Sequence, residues 1–351
     1  MDQTTTTPQA STQRTAQAGA TVRIGIVGVS GYGGSELLRL CAAHPSFRIT
    51  YVAGESTAGQ SMVSRFPALA GNPIGDLVIQ SFVPEETGDV DLMFVSLPTG
   101  KSQEPLARIP KSVRIVDVGG DHRFVDGWTY GLTELPGQRE KIRATTRLAN
   151  PGCYPAASLL ALAPLVKEGL IEPEGIVIDA KSGVTGTGRG GASDFGYVET
   201  SEDMFAYGLE KHPHVPEMEK ALSLLAGRKA TIAFTPQLVP MARGILSCCY
   251  GRPREGATAE RLYEAANAMY RNEPFVKVMP AEKGRSAHTR WAKGSNLVYV
   301  SYAINPNTGL VIGIGVIDNL GKGASGQAVQ NANLMTGQPE TAGLTGLPVI
   351  P

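Results

Sequence analysis

The sequence predicts an α/β fold: a doubly wound parallel sheet, then an α+β domain on a mostly antiparallel or mixed sheet. Three observations carry this. In the first half, short apolar runs alternate with helical stretches, and each run ends in Gly, Pro or Ser. In the second half the apolar runs lengthen, and the run 297–318 carries Asn-Pro-Asn-Thr-Gly in its middle, as a long hairpin does. The chain has 351 residues, which at roughly 150 per domain suits two domains.

Taken in order, residues 1–20 are almost all Thr, Gln, Ala and Ser, with no apolar stretch of a secretory signal, and read as an unstructured tail. The β-branched run 21–29 is a first strand that ends in a glycine-rich turn. A helix follows at 35–44, with Leu37, Leu38, Leu40 and Cys41 on one face and Ser35 as its N-cap. Further strands are expected at 47–54, 77–82, 91–98 and 113–120. After Cys153 a helix runs to about Lys167. Strands at 175–183, 230–240, 243–252 and 275–280, a helix at 258–271, the hairpin and a last helix at 325–335 complete the second half.

Composition limits the function. Lys+Arg and Asp+Glu are both 32, so the net charge is zero and a nucleic-acid backbone is not an expected partner. Hydrophobic residues make up 42% of the chain, yet the uncharged stretch 149–166 holds three prolines and an asparagine and does not read as a membrane span. The four cysteines, Cys41, Cys153, Cys248 and Cys249, form no CxxC pair. Neither a disulfide framework nor a zinc cage is expected, and a reducing cytoplasm is the expected compartment.

Chemistry is concentrated in a few short segments. Gly28-Val29-Ser30-Gly31-Tyr32-Gly33-Gly34 follows a strand and opens a helix, the context in which such a loop meets a dinucleotide pyrophosphate, so the first domain reads as Rossmann-type. Past the second strand, Glu55 suits a ribose hydroxyl, whereas Ser56 and Thr57 suit a 2′-phosphate. In Asn150-Pro151-Gly152-Cys153-Tyr154-Pro155 a cysteine heads an apolar helix, where the helix dipole is expected to lower its pKa. Cys41, Cys248 and Cys249 lie in apolar helix or strand patterns and read as buried small side chains. His212 and His214, in His212-Pro213-His214-Val215-Pro216-Glu217, are two of only five histidines. No further ligands at zinc spacing accompany them, so they read as acid/base partners of Cys153 rather than a metal site. Pro213 biases His212 towards an extended backbone, which would point both rings to one face. His44 reads as a capping or surface residue and His288 as a surface one. Arg123, after Gly119-Gly120-Asp121-His122, and Arg189, at the end of a Gly/Thr-rich loop, are candidate oxyanion binders. Together these residues suit one reaction: a thiolate attacks an activated acyl group, and a nicotinamide hydride reduces the thioester to an aldehyde.

The motifs 28–40, 150–155, 182–189, 212–217, 238–245 and 316–335, in this order, make the sequence similar to the N-acetyl-gamma-glutamyl-phosphate reductases of arginine biosynthesis, within the aspartate-semialdehyde dehydrogenase superfamily. The resemblance covers about residues 22–351. It implies NADPH as cofactor and a small-molecule N-acetyl-glutamyl phosphate as substrate, with a semialdehyde and phosphate as products. It implies Cys153 as nucleophile and His212 as acid/base, with His214 as second choice and substrate contact. It further implies Gly28, Ser30, Gly31, Tyr32, Gly33, Glu55, Ser56 and Asn319 around the cofactor, and Arg123, Asn150 and Arg189 around the substrate. Three positions depart from the family pattern: Ala156 replaces a Thr, His122 replaces a Phe, and Pro213 replaces an Arg. Two other readings stay open. One is the lysine-pathway reductase, which takes an aminoadipyl phosphate on a carrier protein and favours Arg where Glu55 stands. The other is a Cys/His acyl hydrolase that uses no nucleotide. The expected division is a tail 1–20, a cofactor domain 21–152 completed by a C-terminal helix in 320–351, and a catalytic and oligomerisation domain 153–319. A homo-oligomer, dimer or tetramer, is expected, with no membrane or nucleic-acid partner.

Overall fold

A computed structural model describes residues 21–87, 89–189, 197–280 and 286–349; the expected tail, 1–20, lies outside them. The first half alternates strands with helices and turns: β1 (Val22–Val27), α1 (Tyr32–Ala42), β2 (Phe47–Ala53), α2 (Met62–Arg65), β3 (Leu92–Val95), α3 (Gln103–Arg108), β4 (Arg114–Asp117), β5 (Thr129–Tyr130), α4 (Gln138–Ala144) and β6 (Arg147–Ala149). The strands pair in the order β2-β1-β3-β4-β6-β5, all parallel. β1 leads to one side through β2 and to the other through β3. The sheet therefore has its switch point at the carboxyl end of β1, where the glycine loop lies.

Two local expectations need correction. The run 77–82 forms no strand; it touches its neighbours only through single bridges, Ala53 to Gln80 and Ser61 to Val78. Ile79 is its buried residue while Val78 is exposed, so β-branched composition alone does not bring the run into the sheet. Helix α1 starts at Tyr32, with Gly31 at the cap position, so Ser35 is not its N-cap. Ser35 sits one turn inside, where its Oγ donates to the Gly31 carbonyl at 2.7 Å.

The second half contains α5 (Cys153–Lys167), β7 (Ile176–Gly183), α6 (Tyr197–Thr200), β8 (Phe205–Ala206), α7 (His214–Ala226), β9 (Ile232–Val239), β10 (Ile245–Gly251), α8 (Ala259–Tyr270), β11 (Val276–Val278), β12 (Val298–Ile304), β13 (Val311–Ile317) and α9 (Gly326–Met335). Its sheet runs β11-β12-β13-β10-β7-β9-β8 and is mixed, with β7–β9 and β11–β12 parallel. β12 and β13 form the expected antiparallel hairpin. Helix α5 is apolar all round because it is buried all round. It lies so close to β13 that a Cβ on Gly315 would come within 2.2 Å of the Ala157 carbonyl. Leu159, Leu160, Leu162 and Leu165 fill the core beneath it; truncating any of them to Ala costs roughly 2–5 kcal/mol on the usual scale.

The chain then returns to the first domain. Ala328, Val329, Ala332, Leu334 and Met335 of α9 pack into the same core as β1 and α1. The helical part of 320–351 is shorter than expected: a π-helical turn, Gly321–Ser325, precedes α9, and turns and irregular chain follow Met335. A second tie joins the halves. Arg243, between β9 and β10, pairs with Glu36 of α1 at 2.8 Å and with Asp318 at 2.9 Å. Burial pushes the Glu36 carboxyl up, but hydrogen bonds from Arg39 and Arg243 outweigh it and bring its pKa down to about 2. Among the described residues, no helix is long and apolar enough to cross a membrane.

Candidate active site

Cys153 is the first residue of α5, with Gly152 in extended conformation at the cap. Gly323 packs against it so closely that a Cβ there would lie 2.9 Å from the Cys153 Cβ. Thus α5, which starts where β6 ends, places the thiol at the junction of the two domains.

Helix α7 brings the partners. Pro213 is helical, not extended (φ −61°, ψ −20°), so His212 and His214 meet across the entry turn of α7 rather than along a strand. Their ring centroids lie 4.8 Å apart. His212 Nδ1 accepts the His214 backbone N–H at 3.1 Å, so a neutral His212 carries its proton on Nε2. Its ring meets those of Tyr154, Tyr207 and Phe234 edge-on. The ring of His214 lies directly on Gly152: a Cβ there would fall 2.3 Å from the His214 Nε2. The motif gave His212 first place, yet His214 is the imidazole that contacts the residue next to the nucleophile.

Glu217, three residues on and on the same face of α7, ends the 212–217 motif, and the sequence alone assigns it no role. It is buried at the centre of the site. Its Oε1 accepts the Gly152 N–H at 2.9 Å and the Tyr130 hydroxyl at 2.8 Å, and its Oε2 pairs with Arg123 at 2.9 Å. The only signal for it in the sequence is its offset of three from His214 at a helix start. Tyr207 is a second residue not anticipated; its hydroxyl donates to that of Tyr154 at 3.2 Å.

The electrostatics differ from the expectation of a low-pKa thiol. Cys153 keeps part of its surface open, but burial pushes its pKa up to about 11; N–H groups at the start of α5 and Arg123 oppose this without overcoming it. The start of α5 favours the thiolate, and desolvation outweighs it. Burial, with Arg123 adding to it, lowers His212 to about 4 and His214 well below its ordinary value. At neutral pH the site therefore holds a neutral thiol and two neutral imidazoles; His212 keeps its proton on Nε2 with Nδ1 engaged, which leaves His214 as the imidazole to accept a proton.

The remaining candidates fall into two groups. Arg123 stands in the site, with Nε donating to the Asn150 carbonyl and Nη1 on Glu217. Asn150 is fully buried; its Nδ2 donates to the Ala324 carbonyl and its Oδ1 accepts from Asn331, so its side chain ties the segment before Cys153 to the end of the chain. Asn319 is likewise held, accepting from the Gly244 N–H and donating to Thr185 Oγ1, which fixes the loop after β7 against the end of β13. The cofactor candidates gather at the switch point. Gly28 has φ 80°, a conformation that favours glycine, and a Cβ there would also strike the Ser96 carbonyl at 2.2 Å. No side chain caps the N-terminus of α1, which leaves the first-turn N–H groups of Tyr32 and Gly33 for an anion, while that of Gly31 donates to the Gly28 carbonyl at 3.0 Å. Ser30 is bonded to the buried Thr57 at 2.5 Å, while Glu55 and Ser56 stay exposed at the rim. Arg189 reaches this loop from the other domain and stacks on Tyr32 at 4.5 Å. Among the other histidines, His44 is buried rather than on the surface; its Nδ1 accepts the Ser46 and Phe47 N–H groups.

Comparison with known proteins agrees with this geometry. Residues 23–145 match the NAD-binding domain of semialdehyde dehydrogenases, and residues 153–319 their dimerisation domain. An N-acetyl-gamma-glutamyl-phosphate reductase of Methylobacterium sp. (strain 4-46) is 55% identical, covering 94% of this chain and 99% of the relative. One of Bradyrhizobium sp. (strain ORS 278) is 54% identical with the same coverage. A solved structure of similar fold is aspartate semialdehyde dehydrogenase with NADP from Candida albicans, at TM-score 0.70 and 15% identity, covering 90% of this chain and 99% of that one. With more than half its residues shared with such reductases over nearly the full length, the chain belongs to the N-acetyl-gamma-glutamyl-phosphate reductase family of semialdehyde dehydrogenases.

Proposed function

We propose that the chain reduces N-acetyl-L-glutamyl 5-phosphate to N-acetyl-L-glutamate 5-semialdehyde and inorganic phosphate, with NADPH, through a thioester on Cys153. The observation that carries this is the convergence of Cys153, the His212–His214 pair and the Arg123–Glu217 pair beside a dinucleotide loop. Gly28, Ser30, Gly31, Tyr32 and Gly33 would hold the pyrophosphate end of the cofactor, Glu55 and Ser56 would meet its ribose end, and Asn319 would brace the loops on the nicotinamide side. Ser56 is the group for a 2′-phosphate. The cofactor, when bound, supplies a hydride to the acyl carbon.

The chain's own part is nucleophilic and proton chemistry. Cys153 Sγ attacks the acyl carbon; the C–S bond forms, the bond to the phosphate oxygen breaks, and phosphate leaves. The thiol proton passes to a neutral imidazole during attack, which a resting thiolate would not require. His214 is the first acceptor, because its ring lies on Gly152. His212 presents its Nε2 proton to the oxygen that gains charge. Arg123 offers positive charge to the acyl phosphate while Glu217 fixes its direction. After reduction the C–S bond breaks, the aldehyde leaves, and the sulfur regains a proton.

The outer face of the seven-stranded sheet, with Val177 exposed and Cys248, Tyr250, Tyr299 and Ile314 partly so, is the surface for a second copy of the chain. The decisive assay mixes purified protein, NADPH and the acyl phosphate. Loss of reduced nicotinamide should match release of phosphate one to one. Phosphate release with no nicotinamide oxidation would make the protein a hydrolase instead.

A further inference from the structure

The glycine loop meets its ligand without a cation of its own. Residues 28–35 contain no lysine or arginine. The serine hydroxyls are engaged within the protein, Ser30 on Thr57 and Ser35 on the Gly31 carbonyl. A pyrophosphate carrying two negative charges would thus find no positively charged side chain on this domain's loop. A cation does stand over it, and it comes from the other domain. The guanidinium carbon of Arg189 lies 4.5 Å from the centroid of the Tyr32 ring, at the first turn of α1.

The placement of Arg189 is built rather than casual. Its loop leaves β7 through the turn Val184–Thr187, and Gly188 turns the chain at φ 82°, a conformation suited to glycine. The base of the loop is pinned, since Thr185 Oγ1 donates to the Ala242 carbonyl at 2.6 Å and accepts from Asn319 Nδ2 at 2.9 Å. Arg189 is exposed, and no ion pair to it is seen among the described residues. An exposed guanidinium on a tyrosine face is weakly held, and a charge-assisted, two-pronged bond to phosphate oxygens is stronger. Arg123, by contrast, is committed at the thiol, 2.9 Å from Glu217. The two arginines thus serve two different anions.

We propose that Arg189 is a cofactor ligand supplied by the catalytic domain: held on Tyr32, it turns its fork onto the pyrophosphate of the dinucleotide and closes the cleft over it. This differs from the substrate-oxyanion role expected for Arg189 from the sequence, and it rests on the reductase function proposed above. The same two domains that Arg243 ties through Glu36, one turn along α1 from Tyr32, would be joined a second time by the cofactor.

The test uses the intact enzyme in the reverse direction, with NADP, semialdehyde and inorganic phosphate, so that the two anions are varied separately. Arg189→Gln should raise the KM for NADP by about tenfold and leave the KM for phosphate within about twofold. Arg189→Lys should recover part of the loss, because it returns the charge without the fork. Titration of NADPH by its fluorescence should show the same weakening and a shallower dependence on salt. A rise in the KM for phosphate with that for NADP unchanged would return Arg189 to the substrate, and no change in either would make it a surface residue. If the parent shows no phosphate-dependent reduction of NADP, the reductase reading fails, and the NADPH titration alone still decides the place of Arg189.

Discussion

Glu217 accepts the backbone N–H of Gly152 at 2.9 Å, so a carboxylate 65 residues away fixes the turn that presents the nucleophile. The same carboxylate aims Arg123 and raises the Cys153 thiol by its charge.

Glu217→Gln keeps the shape but removes that charge, and turnover should fall by about 10²-fold, the scale of a small misplacement at a reacting centre. A purely structural role would leave the thiol alone. Here the pH dependence of Cys153 alkylation should move to lower pH in Glu217→Gln, because a charge that disfavours the thiolate is gone. An unmoved alkylation profile would reduce Glu217 to packing.

Cys153→Ser should abolish reduction while NADPH still binds, because the thiol and the glycine loop are separate elements. Cys41→Ser, Cys248→Ser and Cys249→Ser should keep turnover apart from stability losses. Iodoacetamide inactivation of the parent should still be climbing above pH 9, in line with a thiol near 11. A plateau by pH 7 would mean a resting thiolate and would overturn the neutral-pair scheme.

The histidines make a kinetic prediction. The proton acceptor must be neutral, and burial holds His212 near 4 and lowers His214 as well. The acid limb of kcat/KM in the parent should therefore fall well below pH 6. His214→Asn should lower turnover by about 10²-fold or more and remove that limb, and His212→Asn should lower turnover while leaving the limb in place. If His212→Asn removes it instead, the two roles exchange. If neither does, the proton moves through another group.

Where Glu134, Glu273 and Glu340 come together, three carboxylates within 4.8 Å meet two cations, Lys322 and Arg139. Glu134 Oε2 is buried and takes no hydrogen bond. Burial raises the pKa of Glu273, with Glu134 and Glu340 adding to it and Arg139 opposing. A carboxyl whose folded pKa is raised contributes stability below its unfolded value, about 4.3, and that contribution is lost as pH rises through the folded value. The melting temperature of the parent should carry this loss as pH rises from about 4.3 through the folded value. Glu273→Gln keeps an acceptor for Arg139, adds an N–H donor and removes the surplus charge. It should melt no lower than the parent at pH 8, with a flatter pH dependence. A drop of several degrees at pH 8 would show that Glu273 works as a plain ion-pair partner.

The parts legible in the sequence are those that depend on neighbours in the chain. β1 with its glycine turn, Cys153 at the head of α5, the hairpin 297–318 and helix α8 follow from local periodicity and turn chemistry. The parts that were not legible depend on distant packing. Nothing local to 77–82 says that the sheet edge will take one bridge and no more. Nothing local to Cys153 says that desolvation will outweigh the helix dipole. Nothing local to Asn150 says that Asn331 and Ala324, from the far end of the chain, will take its amide. Glu217 was visible as a letter, but its hold on Gly152, Tyr130 and Arg123 exists only once α7 docks on α5.

The docking of α9 into the first core bears on how the molecule is made. Chains generally fold domain by domain as they emerge, the N-terminal unit first. Here β1 and α1 are synthesised early, but the apolar surface they present is covered by Ala328, Val329, Ala332 and Met335, which are made only after the whole of the second sheet. The nucleotide-binding half must wait through synthesis of the whole catalytic half with part of its core open to water. During that interval the nascent chain is most in need of a chaperone, and a ribosome that stalls near residue 320 would leave a finished second domain attached to an unfinished first.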